Sequence, residues 1–492
     1  MQTTPPAPAP TTPTPASPVR TTVADAEARA TRALEQLQQD VRAATVQTGV
    51  ARASWGIAVY SLDRNAPLVD LGGSRLLVPA STAKLVSTAS AVDAVGWDHT
   101  FATTLRANGP VEGGTLKGDL LVVGTGDPSI DGPAGADLTA WIEALKRLGL
   151  TRVAGRVVGD DDTVEEPRPA LAWAWDDLGY ATGGLFGALN YGENRMAVTI
   201  TPGATAGAPA AVTVDWHARH RPLINRTVTG ITGTPGLFWA EQRPGEVGLT
   251  IAGSLPVNSA TVRLGVSAGN PTAWFAGILR DRLEEGGILV DGPAVDIDDV
   301  EPRPDRAGST LLYTHRSAPL SAIVRPMLKD SINLYAEAVL RLNAAPGVLP
   351  TNDAALDGLS QRLARWGIAQ EAIHQIDGSG LSRRNVVAPD ALVRVLQVMQ
   401  DPTGASPFVR ALPVAGVDGS LAGRMKGTPA AGNVRAKTGT MSTVRSLAGY
   451  ATTADGERLA FAIIVNNFEG SGAQAVAAID AIAVRLATFT RE

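Results

Sequence analysis

The stretch Ser81-Thr82-Ala83-Lys84-Leu85-Val86-Ser87-Thr88-Ala89-Ser90-Ala91-Val92 decides how this chain is read. Leu85, Val86, Ala89 and Val92 recur at intervals of three and four, the pattern of a buried helix, predicted over 81–95. Ser81 and Lys84 stand one turn apart on one face of it. Lysine is scarce here: there are six, Lys84, Lys117, Lys146, Lys329, Lys426 and Lys437, and nearly every other cation is arginine. Arginine cannot give up its proton in a protein, whereas a crowded lysine can. A neutral Lys84 amine can take the proton of the Ser81 hydroxyl. At the first turn of a helix the Ser81 N–H points outward, where it can help bind an oxyanion. About 0.3 Ser-x-x-Lys motifs are expected by chance, so this one is weak alone.

Two later segments complete the pattern. Ser331-Ile332-Asn333 precedes a predicted helix over 333–342. There Ser331 can relay a proton and Asn333 can hold a substrate amide; both residue types are also favoured as ordinary helix caps. Lys437-Thr438-Gly439-Thr440 falls on a strand predicted over 434–440. Lys437 supplies a positive charge, Thr438 and Thr440 offer hydroxyls to a carboxylate, and Gly439 admits a ligand close to the backbone. A strand ending in a turn reads the same way, although only about 0.06 copies of Lys-Thr-Gly are expected by chance. Two lysines in one pocket depress each other's pKa, which a lysine base requires. The order and contexts of the three motifs point to an active-site serine acyltransferase of the penicillin-recognising kind.

At 492 residues the chain exceeds one core and divides into two or three domains. Its net charge of −5 has no basic stripe, which excludes nucleic acid as a partner. No apolar run reaches the length of a membrane span. The absence of cysteine excludes disulfides, a thiolate nucleophile and a lipidated cysteine. His217 and His220, on an Arg-rich strand-like stretch, read as ordinary surface or core residues, so neither metal nor cofactor is expected. The Pro/Thr-rich tract over 1–22 cannot bury a core and reads as an extended, disordered linker. It lacks the features of a signal peptide, yet such linkers follow signals or anchors in exported proteins, so a periplasmic or cell-envelope location is expected.

The remaining periodicities predict a helix over 23–46 and a hairpin of strands 54–62 and 67–72. A β-rich stretch follows, from 103 to about 302, with strands over 119–123, 152–158, 197–201, 211–215 and 247–251. One helix, 137–148, interrupts it. Helices then return over 321–327, 333–342, 353–366 and 389–399. Strands 434–440, 446–451 and 459–466 and a helix 473–488 end the chain. The simplest layout is a helix-and-sheet domain made from both chain ends, with a β-rich insertion between them.

With these motifs the chain resembles the D-alanyl-D-alanine carboxypeptidase/endopeptidases of the low-molecular-mass class C penicillin-binding proteins, the S13 peptidases. Ser331-Ile332-Asn333-Leu334-Tyr335-Ala336-Glu337 resembles their longer second motif, and Asp377-Gly378-Ser379-Gly380-Leu381-Ser382-Arg383 another of their segments. Gly118-Asp119-Leu120, Gly124-Thr125-Gly126-Asp127-Pro128 and Trp173-Ala174-Trp175-Asp176-Asp177-Leu178 resemble parts of their inserted region. The wide separation of Ser81 from Ser331, about 250 residues, favours this branch over compact β-lactamases.

The resemblance implies an α/β (α+β) multi-domain fold. A transpeptidase/β-lactamase-like domain, an antiparallel sheet flanked by helices, would comprise 23–105 and 313–492. An insertion over 106–312 would carry a nested domain over about 163–258. The implied roles are Ser81 as nucleophile, Lys84 as base, Ser331 as proton shuttle and Asn333 as amide binder. Lys437, Thr438 and Thr440 would receive the terminal carboxylate, with the Thr440 and Ser81 N–H groups binding the oxyanion. Arg383 and Met441 would lie near the peptide stem, and Asp177, ahead of Asp176, would meet its free amine. A salt bridge for Arg383 and a packing corner for the Trp/Asp segment are the plainer readings. The implied ligands are peptidoglycan stem peptides and β-lactams. A β-lactamase and a non-catalytic peptidoglycan- or β-lactam-sensing module remain alternatives.

Overall fold

Along one strand, Leu459, Phe461, Ile463 and Val465 point to one side and Ala460, Ala462 and Ile464 to the other. This strand, Arg458–Asn466, is the centre of a five-stranded antiparallel sheet in the computed structural model of the protein. The structure describes residue 3 and residues 23–214, 221–243, 248–401, 403 and 405–491. Apart from residue 3, the tract expected to be a linker over 1–22 lies outside the described residues, as do His217 and His220. The sheet order is Ala66–Leu71, Ser54–Ser61, Arg458–Asn466, Val444–Thr452, Arg435–Met441, so both chain ends contribute strands.

The large-residue face packs on the helices Val23–Thr45 and Gly472–Ala487, in a core with Leu37, Val41, Ile479 and Leu486. The opposite face is rich in alanine (Ala58, Ala448, Ala460 and Ala462), which lets a second helical layer approach closely. That layer comprises Ala83–Val95, Leu320–Lys329, Asn333–Arg341, Asn352–Arg365 and Pro389–Val398. In the first of these, Ala83 through Ala91 are all buried. A helix buried on every side must satisfy its polar groups internally. Thr88 Oγ1 donates to Lys84 O at 2.6 Å and Ser87 Oγ to Gly378 O at 2.9 Å, while Ser90 bonds Asn343.

Between these halves the chain builds a mixed sheet in the order Ala294–Asp296, Val157–Asp160, Asp119–Val123, Ala102–Asn108, Thr310–Arg316. The first two pairings are parallel and the last two antiparallel. Further out lie two three-stranded sheets. One joins Ala211–Val214, Arg195–Thr201 and Val262–Ser267; the other joins Leu223–Gly230, Leu249–Pro256 and Leu237–Glu241. One apolar cluster, with Val157, Met196, Ile200, Phe275 and Ile278, runs through all of them. Among the described residues no helix is long and apolar enough to cross a membrane.

Two expectations need correction here. The strand read over 152–158 is two strands, Arg152–Val153 and Val157–Asp160, in different sheets. The chain turns between them at Gly155, where a Cβ would collide with Asp119 and the Gly118 carbonyl. The β-rich stretch also holds a second helix, Pro271–Glu285. Asn270 caps it by accepting from the N–H groups of Thr272 and Ala273, and Pro271 suits its first position. It is buried on most sides, so the one-faced periodicity that marks a surface helix is missing.

Candidate active site

Ser81 lies in a 3-10 turn, Ala80–Thr82, and the α-helix begins at Ala83. Ala80 takes a left-handed backbone, φ 48°. The turn is held by the Pro79 carbonyl, which accepts from Thr82 Oγ1 at 2.8 Å and Ser446 Oγ at 2.6 Å.

Lys84 Nζ lies 2.9 Å from Ser81 Oγ, 2.7 Å from Asn333 Oδ1 and 2.7 Å from Ser379 O. Asn333 Nδ2 donates to Thr182 O at 2.8 Å, so its Oδ1 must face the lysine. Asn333 Oδ1 and Ser379 O therefore take both hydrogens of a neutral amine. The remaining lone pair is directed at the Ser81 hydroxyl. Burial pulls the Lys84 pKa from 10.5 to about 7, against the opposing pull of the Asp377 and Glu337 carboxylates.

Ser331 has φ 63° and precedes the helix Asn333–Arg341, whose cap Ile332 receives no side-chain bond. Ser331 and Asn333 are thus not helix caps; their side chains go to the two lysines. Lys437 Nζ donates to Ser331 Oγ at 2.9 Å and to Thr438 O at 2.8 Å. Burial and the neighbouring Lys84 charge push the Lys437 pKa well down, with Asp330 opposing.

The strand Arg435–Met441 forms the edge of the sheet. The Ala436 N–H donates outward to Pro413 O at 2.9 Å. By strand alternation the N–H groups of Thr438 and Thr440 face the same outer side, which is the cleft. Gly439 was expected to admit a ligand. What approaches it is the turn that carries Ser81: a Cβ there would stand 2.6 Å from Pro79 O and collide with Ser446.

A cleft of about 620 Å³ is lined by Ser81, Ser331, Asn333, Thr438 and Thr440. Asp177, Arg383 and Met441 border it as well. Lys84 and Lys437 lie buried behind Ser81 and Ser331 rather than in the wall. Burial and Asp176 raise the Asp177 pKa, and Arg383 lowers it. Arg383 Nη1 donates to Ser442 O at 3.4 Å. The Trp/Asp segment divides its roles: Trp173 Nε1 donates to Asp377 Oδ2 at 2.8 Å as packing, while Asp177 reaches the cleft. Gly183 lets this loop fold back, since a Cβ there would collide with the Asp177 carbonyl.

Sequence reasoning missed Ser420, whose Oγ accepts from Thr438 Oγ1 at 2.7 Å. It also missed Thr182, which sets the Asn333 amide. Neither stands in a recognisable pattern. The loop bearing Ser420 is held by Lys329, whose Nζ reaches both Asp418 oxygens at 2.6 and 2.7 Å. Among the described residues one group could hold a cation: carboxylates of Asp161, Asp162 and Glu166 lie within 4.8 Å of one another. They lie outside the cleft lining, and Arg303 already pairs with Asp162.

The sequence profile of the D-Ala-D-Ala carboxypeptidase 3 (S13) family matches residues 37–489. The chain belongs to this family. This S13 chain is 34% identical over 469 residues to a D-alanyl-D-alanine carboxypeptidase of Actinomadura sp., covering 93% of this chain and 85% of that protein. It is 27% identical to the D-alanyl-D-alanine carboxypeptidase DacB of Haemophilus influenzae, covering 84% and 85% of the two. The crystal structure of penicillin binding protein 4 from Haemophilus influenzae superposes with a TM-score of 0.80 at 25% identity, over 93% of this chain and 99% of that one. The S13 protein is therefore a hydrolase of the penicillin-binding type.

Proposed function

We propose that this S13 enzyme cleaves D-alanyl peptide bonds of peptidoglycan stem peptides through an acyl-enzyme on Ser81, releasing the terminal D-alanine as a carboxypeptidase or the side-chain amine of a neighbouring stem as an endopeptidase. β-Lactams acylate the same serine. The observation that carries this reading is the paired arrangement in one cleft, Lys84 on Ser81 and Lys437 on Ser331.

Ser81 Oγ attacks the carbonyl carbon of the penultimate D-alanine while its proton passes to the Lys84 amine. The carbonyl oxygen, now an anion, is bound by the N–H groups of Ser81 and Thr440. The C–N bond then breaks, and the leaving amine receives a proton through Ser331, beside Lys437. Water later attacks the ester and restores Ser81. The second hydrogen of Asn333 Nδ2 serves a substrate amide. Thr438 and Thr440, backed by Lys437, receive the terminal carboxylate. Asp177, with Arg383 and Met441 nearby, receives the free amine of the stem.

In the same reading the two chain ends form the catalytic domain and the middle an inserted pair, with the boundaries expected at 105/106 and 312/313 moved outward, because Ala102–Asn108 and Thr310–Arg316 pair within the inserted sheet. The nested unit extends beyond 258, because Val262–Ser267 pairs with Arg195–Thr201. The enzyme works outside the cytoplasm, in the periplasm or cell envelope, where its substrate is. Among the described residues lining the cleft there is no glutamate to activate a deacylating water, which disfavours a β-lactamase.

The test is incubation with labelled penicillin, mapping of the adduct by mass spectrometry, and timing of its decay. A long-lived adduct on Ser81, with D-alanine release from a stem peptide, is expected. Rapid penicillin turnover would make the protein a β-lactamase; an adduct elsewhere would overturn the nucleophile.

A further inference from the structure

We propose that Glu337 is a positioning residue for the base: it clamps the 377–382 loop so that the Ser379 carbonyl stays on the Lys84 amine, and with Asp377 it supplies the buried negative charge that the protonated amine requires. The inference rests on Lys84 being the base.

Glu337 follows Asn333 by four residues on one helix, so the two share a face. Asn333 touches Lys84 directly. Glu337 acts one peptide further off. Its Oε1 accepts the Ser379 N–H at 2.9 Å and its Oε2 the Gly378 N–H at 3.0 Å. The other side of the Ser379 residue, its carbonyl, holds Lys84. The loop lies flat on the helix, since a Cβ at Gly378 would collide with the Ala336 carbonyl. One helix face thus presents two of the three groups around the amine, one of them through the loop.

The charge argument is separate. When Ser81 gives up its proton, an ammonium appears where exposure is 0%. Its three partners, Ser81 Oγ, Asn333 Oδ1 and Ser379 O, are all uncharged. Compensation must come from the next layer. Lys84 is faced by Asp377 from the loop, Glu337 from the helix and Lys437 from the strand. Asp330 faces Lys437, while Arg341 Nη1 stands 3.9 Å from Glu337 with Glu165 beyond it. Asp377 is immobilised by four donors: the Gly380 and Ser382 N–H groups, Asn385 Nδ2 and Trp173 Nε1. Burial and Asp377 raise the Glu337 pKa, and Arg341 lowers it.

With six lysines, the full chain labelled at lysine Cε gives few NMR signals, and Lys84→Arg identifies that of Lys84. In Glu337→Gln the titration midpoint of Lys84 is expected to fall by about one pH unit, with the acid limb of penicillin acylation moving equally. In Glu337→Asp, which keeps the charge but withdraws it, the midpoint is expected to hold while the high-pH acylation rate falls about tenfold. A folded Glu337→Gln with the wild-type midpoint overturns the proposal. If that variant does not fold, Glu337→Asp decides: wild-type acylation across pH overturns it. Absence of acylation in wild type would instead overturn the proposed function, because the lysine signal is read without it.

Discussion

Lys84 sits where two opposing effects meet and burial prevails. Burial removes its proton and two carboxylates return it, leaving a pKa of about 7. Its folded-state pKa lies below the ordinary value, so the free base is present above about pH 7 and lost below it. The rate of penicillin labelling should therefore rise from pH 5 to 9 with a midpoint of about 7; a flat profile would remove Lys84 from the role. Lys84→Arg keeps the charge but cannot accept the proton, and its labelling rate should fall at least about 10³-fold. Ser81→Ala should leave no adduct at all. These residues were legible because three short patterns, at least two of them weak alone, occurred in the right order and context. Glu337 lies within the second motif, yet its role was not legible: a glutamate among apolar helix residues says nothing of the loop it will meet. Ser420 had no sequence signal, because its importance is contact with Thr438 across folded space.

Strands declared themselves by alternation, and the nucleophile helix by its three-and-four spacing. What spacing could not give was the tight turn before that helix, or the close passage of the Lys-Thr-Gly strand beneath it. Gly439→Ala tests that passage. The new Cβ would press on Pro79 O and Ser446, displacing Ser81 from its base. We expect a stability loss of about 1–3 kcal/mol by denaturant titration, together with slowed acylation. Normal acylation in a destabilised variant would show that the turn adapts. The helix Pro271–Glu285 is buried on most sides, as the helix after Ser81 is, but unlike that helix it carries no motif that draws attention to it. Its Asn-Pro start was the one usable signal.

At the scale of the whole molecule, the segment around 171–183 reaches the catalytic layer through Trp173 on Asp377 and Thr182 on Asn333. That strands from both chain ends share one sheet agrees with the order of predicted elements; this contact was not legible, because it joins residues with no shared periodicity. If Asp177 receives the stem amine, acetylating that amine should raise KM, and Asp177→Ala should erase most of the difference. Equal cleavage of both peptides by wild type would end that assignment. Finally, the strand Ser54–Ser61 pairs with Arg458–Asn466 near the far end of the chain. Pairings so distant in sequence are slow to form, because the intervening loop must close first. The strand that precedes Ser81 therefore waits, unpaired on that side, until residues 458–466 have emerged. A chain arrested before residue 458 holds Ser81 and Lys84 but no central strand, and it should bind no penicillin. The site is in effect switched on only once its central strand has been made.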